Sequence, residues 1–424
     1  KGFAMAADGS QNGYEPIFVA RQPIFDKNMR IWGYELLFRH SGELEQAAFE
    51  DPSIATSQVI MDGLSLAREG VPENKKMFIN FPKELILDGS PSVLPKGHVI
   101  ELLEDIRPDP EIIEKCDELK GKYLLAVDDY TGQPEYDDLL ERAHIIKVDV
   151  LNMDVEDMAD IAQRLRPLKR VLLAEKVESQ NVFEQAKKLG FLLFQGFFFS
   201  KPLVVSGRKL STSQVSRLRL LQELEGKEYD PRSLSSVLKT DVSLSYRLLK
   251  YVNSPGIGLP TKISSVLHAI NLLGERQIRQ WLRILIMADL NPSDRGQEMV
   301  RLCAIRGRFL QNMSEKHGLD QSPETMFLIG LFSALDTILD QPMKSILKEL
   351  PLNAEIKQTL LGEDTDSVPW LEMVKSLQKA NWGRLQELAR DLEVDAEDAA
   401  HTYNQASSWS LELLKQAKST KEQA

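Results

Sequence analysis

Two adjacent carboxylates, Asp128 and Asp129, close the apolar run Tyr123–Val127. A short, wholly apolar run suits a strand buried on both faces. Acids at the end of such a strand lie at the carboxyl edge of a sheet, where α/β proteins place their chemistry. Side by side, two carboxylates repel unless a cation holds them, so the pair points to a divalent metal. Taken alone, the pair is equally well read as a solvated strand end. The same holds singly for Glu35, Asn80, Glu101, Lys147, Glu175 and Gln195, each of which interrupts or closes a strand-like run of its own. Their shared position at successive strands is the signal. A buried acid is costly unless paired or metal-bound. Oxygen donors without His or Cys fit Mg²⁺ or Mn²⁺ rather than zinc. Two such ions can polarise a phosphodiester and supply a bound hydroxide for in-line attack. The residue chemistry therefore reaches metal-assisted phosphodiester chemistry, or a remnant of it.

The elements that must position these groups alternate. Ile17–Phe25 and Ile31–Phe38, separated by the polar turn Lys27–Arg30, predict a hairpin. Ser53–Arg68 has apolar residues at helical spacing. Strands follow at Lys76–Asn80, Val99–Leu103, Tyr123–Val127, His144–Val148, Val171–Ala174 and Phe191–Phe194. Helices are expected at Asp109–Lys120, Pro134–Arg142, Asp154–Leu165 and Val182–Leu189, the last stopped by Gly190. About eight strands alternating with helices favour a closed βα barrel, with the opening hairpin making its first strand antiparallel. Pro202–Ser213 mixes Pro, Gly and Ser, and residues 205–212 within it read as a linker. Beyond it the pattern is helical: Ser213–Leu224, a helix opened by Asp230-Pro231 and continued through Ser243–Val252, Ser264–Leu273 closed by Gly274, then Glu275–Ala288, Gln297–Lys316 and Pro323–Ile338. Trp370, Trp382 and Trp409 are expected core anchors. The small basic groups Lys169-Arg170 and Arg276/Arg279/Arg283 read as solvated faces. The fold class is thus α/β plus all-α.

Residues 16–204 resemble the EAL family of cyclic di-GMP phosphodiesterases. Glu35-Leu36-Leu37 with Arg39, Asn80, Glu101 with Glu104, Asp128-Asp129, Lys147-Val148-Asp149, Ala174–Glu178 and Gln195-Gly196-Phe197 match its motifs in order. The resemblance implies a modified (βα)8 barrel that hydrolyses cyclic di-GMP to linear pGpG. By position, Glu35, Asn80, Glu101, Asp128 and Glu175 are the expected metal ligands, Asp129 holds the second ion, and the Asp128-Asp129 pair bridges the two. Lys147, helped by Gln195, positions or deprotonates the attacking water, and Glu175 serves both the metal and the reaction. Glu104 braces the loop after Asp129, and Arg39 contacts the nucleotide. The resemblance also implies a homodimer formed through the barrel. The chain departs from the pattern in four places: the loop Tyr130–Pro134 lacks its first glycine, His40 replaces a tryptophan, Pro82 a serine, and Lys176 a glycine.

The stretch Asp241–Leu273, with Val252-Asn253-Ser254, Ile263–Val266, Ala269-Ile270 and Leu273-Gly274, resembles the HDOD family. These are helical relatives of phosphohydrolases that bind metal through a His-Asp pair. Here Ser333-Ala334 stands in place of that pair, and only His268, His317 and His401 lie in this half. A regulatory or interaction module without catalysis, taking an unidentified signalling protein as partner, is the expectation for 213–415.

Bulk properties bound the rest. A chain of 424 residues suggests more than one domain. Its net charge of −11 argues against nucleic acid or an anionic membrane as partner. No apolar run approaches the ~18 residues of a membrane span. Cys116 and Cys303 read as buried hydrophobes in a reducing cytoplasm, and there is no Gly-rich phosphate loop. Residues 1–15 read as a disordered lead-in or tag remnant, and 416–424 as a frayed tail. Three readings stay open at this point: an active metal-dependent phosphodiesterase, a barrel that binds without turnover, and a scaffold acting through both halves.

Overall fold

The computed structural model describes residues 17–40, 71–72, 74–200, 212–225, 230–254, 257 and 262–418. The expected lead-in, the helix at Ser53–Arg68 and nearly all of the 205–212 linker lie outside them, as do residues 419–424.

Eight strands form a closed barrel in chain order: β1 (Ile17–Asp26), β2 (Ile31–His40), β3 (Lys76–Phe81), β4 (Val99–Leu102), β5 (Leu124–Tyr130), β6 (Ile145–Asp149), β7 (Val171–Glu175) and β8 (Leu193–Gln195). β1 runs antiparallel to both β2 and β8, and every other pairing is parallel. The hairpin is set by Asp26, whose carboxylate accepts the amides of Asn28 at 2.8 Å and Arg30 at 2.9 Å. Such a local bond lets one acid fix a reversal of the chain. Helices Pro110–Leu119 and Val155–Leu165 begin at caps, Asp109 and Asp154, that accept the first free amides. Gly190, at φ 101°, stops the helix Gln180–Leu189. The helix expected at Pro134–Arg142 is shorter: a 3-10 turn at Pro134–Tyr136 followed by Asp137–Leu140.

Inside the barrel lies an apolar layer of Ile24, Phe78, Val99, Ala126, Ile145, Leu173 and Leu193. Side chains two apart on a strand share a face. Two residues beyond six of these stand Asn80, Glu101, Asp128, Lys147, Glu175 and Gln195; Gln22 stands two before Ile24 on the reversed β1. The strand period thus stacks a polar layer on an apolar plug.

From 212 to 418 the described residues contain helices and no strand. The helix expected to run from Asp230 through Val252 is two, Pro231–Thr240 and Val242–Val252. Asp241 separates them in extended conformation and caps the second through the Leu244 amide. Gly274, at φ 73° and ψ 169°, breaks Val266–Leu290 where a helix stop is expected. Pro323–Ile338 is also two helices, Pro323–Phe332 and Leu335–Leu339, parted at Ser333-Ala334. Asn253 staples its turn by exchanging two hydrogen bonds of 2.7 Å with the backbone of Ile263. Trp370 is buried, whereas Trp382 and Trp409 pack only partly against the core, and Trp281 is the most enclosed tryptophan of the four.

One expectation is overturned in this half. Arg283 is not on a solvated face: it is 2% exposed and pairs with Glu225 at 2.7 Å and with Glu324. Two carboxylates offset the cost of burying it. Arg279 is largely buried as well, bonded to Glu275 at 3.0 Å, while Arg276 remains solvated.

The two halves meet along β1 and β2. The Tyr34 hydroxyl donates to Glu298 at 3.4 Å, the Ile31 amide to Asp294 at 3.1 Å, and Arg295 to the Phe199 carbonyl at 2.7 Å. The Arg21 guanidinium lies over the Tyr34 ring at 5.3 Å.

Candidate metal centre

The polar layer converges on Lys147. Its side chain, 1% exposed, rises from β6 into the barrel axis. The ammonium lies 2.7 Å from Asp128, 2.8 Å from Glu101, 2.9 Å from Glu175 and 3.6 Å from Glu35. These acids come from four other strands whose inner faces meet at the barrel axis: Glu35 is in register with Phe78, Asn80 with Glu101, and Glu101 with Ala126. Gln195 donates through Nε2 to Glu35 and to Gln22, the latter at 3.0 Å, and Asn80 donates to Glu35 at 3.3 Å.

Asp128 and Asp129 owe their placement to a bulge. Val127 pairs with Ile146 and Tyr130 with Val148, so both acids oppose the single residue Lys147. β5 therefore continues through the two acids to Tyr130, where the sequence pattern places a strand end at Val127. Asp129 takes a left-handed φ of 43°. Gly196 has φ 141°, and a Cβ there would lie 2.2 Å from the Val177 carbonyl oxygen. The Val177 amide bonds the Gln195 carbonyl at 2.9 Å, so this close approach fixes Gln195 beside Glu35.

The charges do not balance. One ammonium faces four carboxylates. Burial pushes the Glu101 carboxyl well above the usual carboxylate range; Glu35 adds to the shift, Lys147 opposes it, and Asp128 adds again. Burial does the same to Glu175, with Lys147 opposing and Asp128 and Glu35 reinforcing. Burial would lower the Lys147 ammonium, but Glu101, Glu175, Glu35 and Asp128 together hold it well above its ordinary value. The lysine is firmly charged, and its neighbours still lack positive charge.

Several buried acceptors in this layer, Asn80 Oδ1, Glu101 Oε2, Glu175 Oε2 and Gln195 Oε1, have no hydrogen-bond partner among the described residues. Orphaned buried acceptors are rare and costly. Oxygen-only donors, excess negative charge and unfilled acceptors together fit a hard divalent cation. Asp128, Asp129 and Glu175 each offer an oxygen within 4.8 Å of the other two.

Asp129 pairs with a second lysine. Lys176 Nζ is 3.2 Å and 3.4 Å from its two oxygens and 2.6 Å from Asp149 Oδ2. Glu104 is not brought into the cluster; it is exposed, and its carbonyl accepts the Tyr136 hydroxyl. The turn after β4 and the segment after β5 are tied by this bond and by Arg107, which pairs with Glu135 at 3.2 Å. Arg39 belongs to β2, opposite Phe18, with its side chain outside the described residues. Sequence reasoning missed Gln22 as the partner of Gln195. The signal was its place two residues before Ile24, read against a strand of reversed direction.

Comparison with known proteins places this geometry in context. A family model of the HDOD domain matches residues 210–354. The uncharacterized protein YuxH of Bacillus subtilis is 38% identical over 407 residues, covering 94% of this chain and 99% of its own. The cyclic di-GMP phosphodiesterase CdgJ of Vibrio cholerae is 31% identical over 401 residues, covering 93% of each. Among solved structures, the manganese and cyclic di-GMP complex of Klebsiella pneumoniae BlrP1 at pH 6 is similar at 21% identity over 45% of this chain and 56% of its own, with a TM-score of 0.37.

Proposed function

The chain belongs to the family in which an EAL-like cyclic di-GMP phosphodiesterase domain is fused to a C-terminal HDOD domain, as in YuxH and CdgJ, and from that membership we propose that its barrel binds a divalent cation, Mg²⁺ or Mn²⁺, together with cyclic di-GMP. The observation that carries the reading is the cluster of four carboxylates, three of them buried, short of positive charge and with orphaned acceptors beside them. Glu35, Asn80, Glu101, Asp128 and Glu175 are the residues to hold the ion, with Asp129 beside them. The bound ion would polarise a phosphodiester and lower the pKa of a water. Lys147 would keep an ammonium donor at the site to orient that water. Gln195 steadies Glu35 and offers a free carbonyl oxygen to the same water. Arg39 is proposed to meet a nucleotide phosphate.

Hydrolysis to pGpG is the finer reading. It is favoured by the contact of both Lys147 and Gln195 with the ligand set, the placement that water activation needs. The helical half is proposed to read the state of the barrel without catalysis of its own and to pass it to a signalling protein. Where its relatives carry a His-Asp pair, the Ser333 hydroxyl is engaged by Arg306 at 2.9 Å and the Gly330 carbonyl at 2.7 Å. Domain limits of 16–204 and 213–415, dimerisation through the barrel and a cytoplasmic setting belong to the same proposal. Among the described residues no helix is long and apolar enough to cross a membrane.

Calorimetry with cyclic di-GMP in the presence of Mn²⁺ tests the reading. One nucleotide per barrel is expected, with the heat lost in Glu101→Gln and linear pGpG appearing if the barrel turns over. Absence of heat at every ion concentration, or heat unchanged in Glu101→Gln, contradicts it.

A further inference from the structure

The carboxylates at the barrel mouth divide between two lysines. Asp128 and Glu175 belong to Lys147, at 2.7 and 2.9 Å. Asp129, whose carboxylate lies within 4.8 Å of those two groups, is taken instead by Lys176. We infer that Lys176 is a built-in cation occupying the coordination capacity of Asp129, so that this barrel takes one divalent ion where its carboxylates could share two. The inference deepens the cation-binding reading and rests on it.

Two observations and one physical argument carry it. Lys176 is anchored at a second point, Asp149 Oδ2 at 2.6 Å, and the other oxygen of Asp149 is held by the Leu151 amide at 2.8 Å. The ammonium is therefore located by two carboxylates, one of which is itself fixed. Next, Lys176 and Asp129 both adopt left-handed backbone, at φ 52° and 43°. For residues with a Cβ that conformation is disfavoured, and glycine takes it freely. Backbone preference alone would place glycine at 176, yet a long cation stands there. Finally, a tethered charge competes at a high effective concentration that dissolved ions must exceed. Mg²⁺ dehydrates reluctantly and needs several oxygens in near-octahedral array. An ammonium already on one of three acids removes a ligand and adds repulsion. The side chain of Lys176 is 46% exposed, so water screens part of that repulsion, and a sufficient ion concentration displaces it.

The consequence is chemical. In-line displacement assisted by two ions needs both the attacking and the leaving oxygen stabilised. A barrel restricted to one ion holds a phosphodiester well and cuts it slowly, and Lys176 sets that restriction.

The test is an Mn²⁺ titration of the full chain followed by electron paramagnetic resonance, which counts bound ions and detects an exchange-coupled pair. Wild type is expected to take one ion without coupling. Lys176→Gly, which also relieves the left-handed backbone, is expected to take two with a coupled signal, the second binding at least about tenfold tighter than any second ion in wild type. Lys176→Met, which keeps the stem and loses the charge, should follow the glycine variant; Lys176→Arg should stay at one. Two equally tight ions in wild type, or a single ion in both Lys176→Gly and Lys176→Met, overturns the inference. No ion in wild type or any variant overturns the cation site itself, and this inference with it.

Discussion

Lys147 does at the centre of the barrel what a bound ion would do better. One positive charge is shared among four acids in a site that water scarcely reaches. Like charges this close destabilise the ion-free protein. Glu101→Gln should therefore stabilise the ion-free protein, raising its Tm by about 2–4 °C for each kcal/mol gained, while abolishing Mn²⁺ binding. The pH dependence has a definite sign. Glu101 and Glu175 have carboxyls raised above their unfolded values. Their contribution is fully present below the ordinary carboxyl range and is lost as pH rises toward the folded values. Without divalent ions, melting temperature should fall across that interval, and saturating Mn²⁺ should remove much of the fall. A Glu101→Gln protein that melts lower than wild type in chelator contradicts this picture.

At the scale of the element, the strand period carries the design. Phe78-x-Asn80, Val99-x-Glu101, Ala126-x-Asp128, Ile145-x-Lys147, Leu173-x-Glu175 and Leu193-x-Gln195 each place an apolar residue below a polar one on the inner face. This is why most of the candidate site is legible in the sequence: a period of two needs no tertiary information. The bulge was not legible, because two acids opposing one lysine is a property of pairing between β5 and β6 rather than of either strand. Nor was the burial of Arg283, which depends on Glu225 and Glu324, each distant in sequence. Glu104 shows the converse, a motif position whose side chain is exposed and whose carbonyl accepts the Tyr136 hydroxyl. Gly196 is where the element scale is most exposed to substitution. A methyl group there would overlap Val177 backbone at 2.2 and 2.3 Å, and φ 141° is strained for any other residue. Gly196→Ala should cost at least about 2 kcal/mol in denaturant unfolding, by strain at a special backbone position. It should also weaken cyclic di-GMP binding by shifting Gln195. Stability within about 0.5 kcal/mol of wild type, the range of an ordinary surface change, contradicts the assigned close approach.

At the scale of the whole molecule, the barrel and the helices share a polar seam rather than a simple apolar contact. Gln22 has two faces in this arrangement. It accepts from Gln195 at 3.0 Å, and it helps line a cavity of about 220 Å³ shared with Phe197, Arg306, Ser333 and Lys379. Glu35, Gln195 and Gln22 thus form a short hydrogen-bonded path from the carboxylate cluster to the seam. Fold class and the two-part organisation were readable from the switch between alternating and helical patterns. The seam was not, since its contacts pair β1 and β2 with helices more than 250 residues away. Everything here depends on a cation entering the barrel of the intact chain. The most direct measurement is anomalous diffraction at the manganese edge from crystals of the full chain loaded with Mn²⁺. The account predicts a peak in the barrel, coordinated by Asn80, Glu101, Asp128, Glu175 and Glu35, with the Lys147 ammonium withdrawn from these acids. A barrel without a peak, and Lys147 still bridging its four carboxylates, would contradict it.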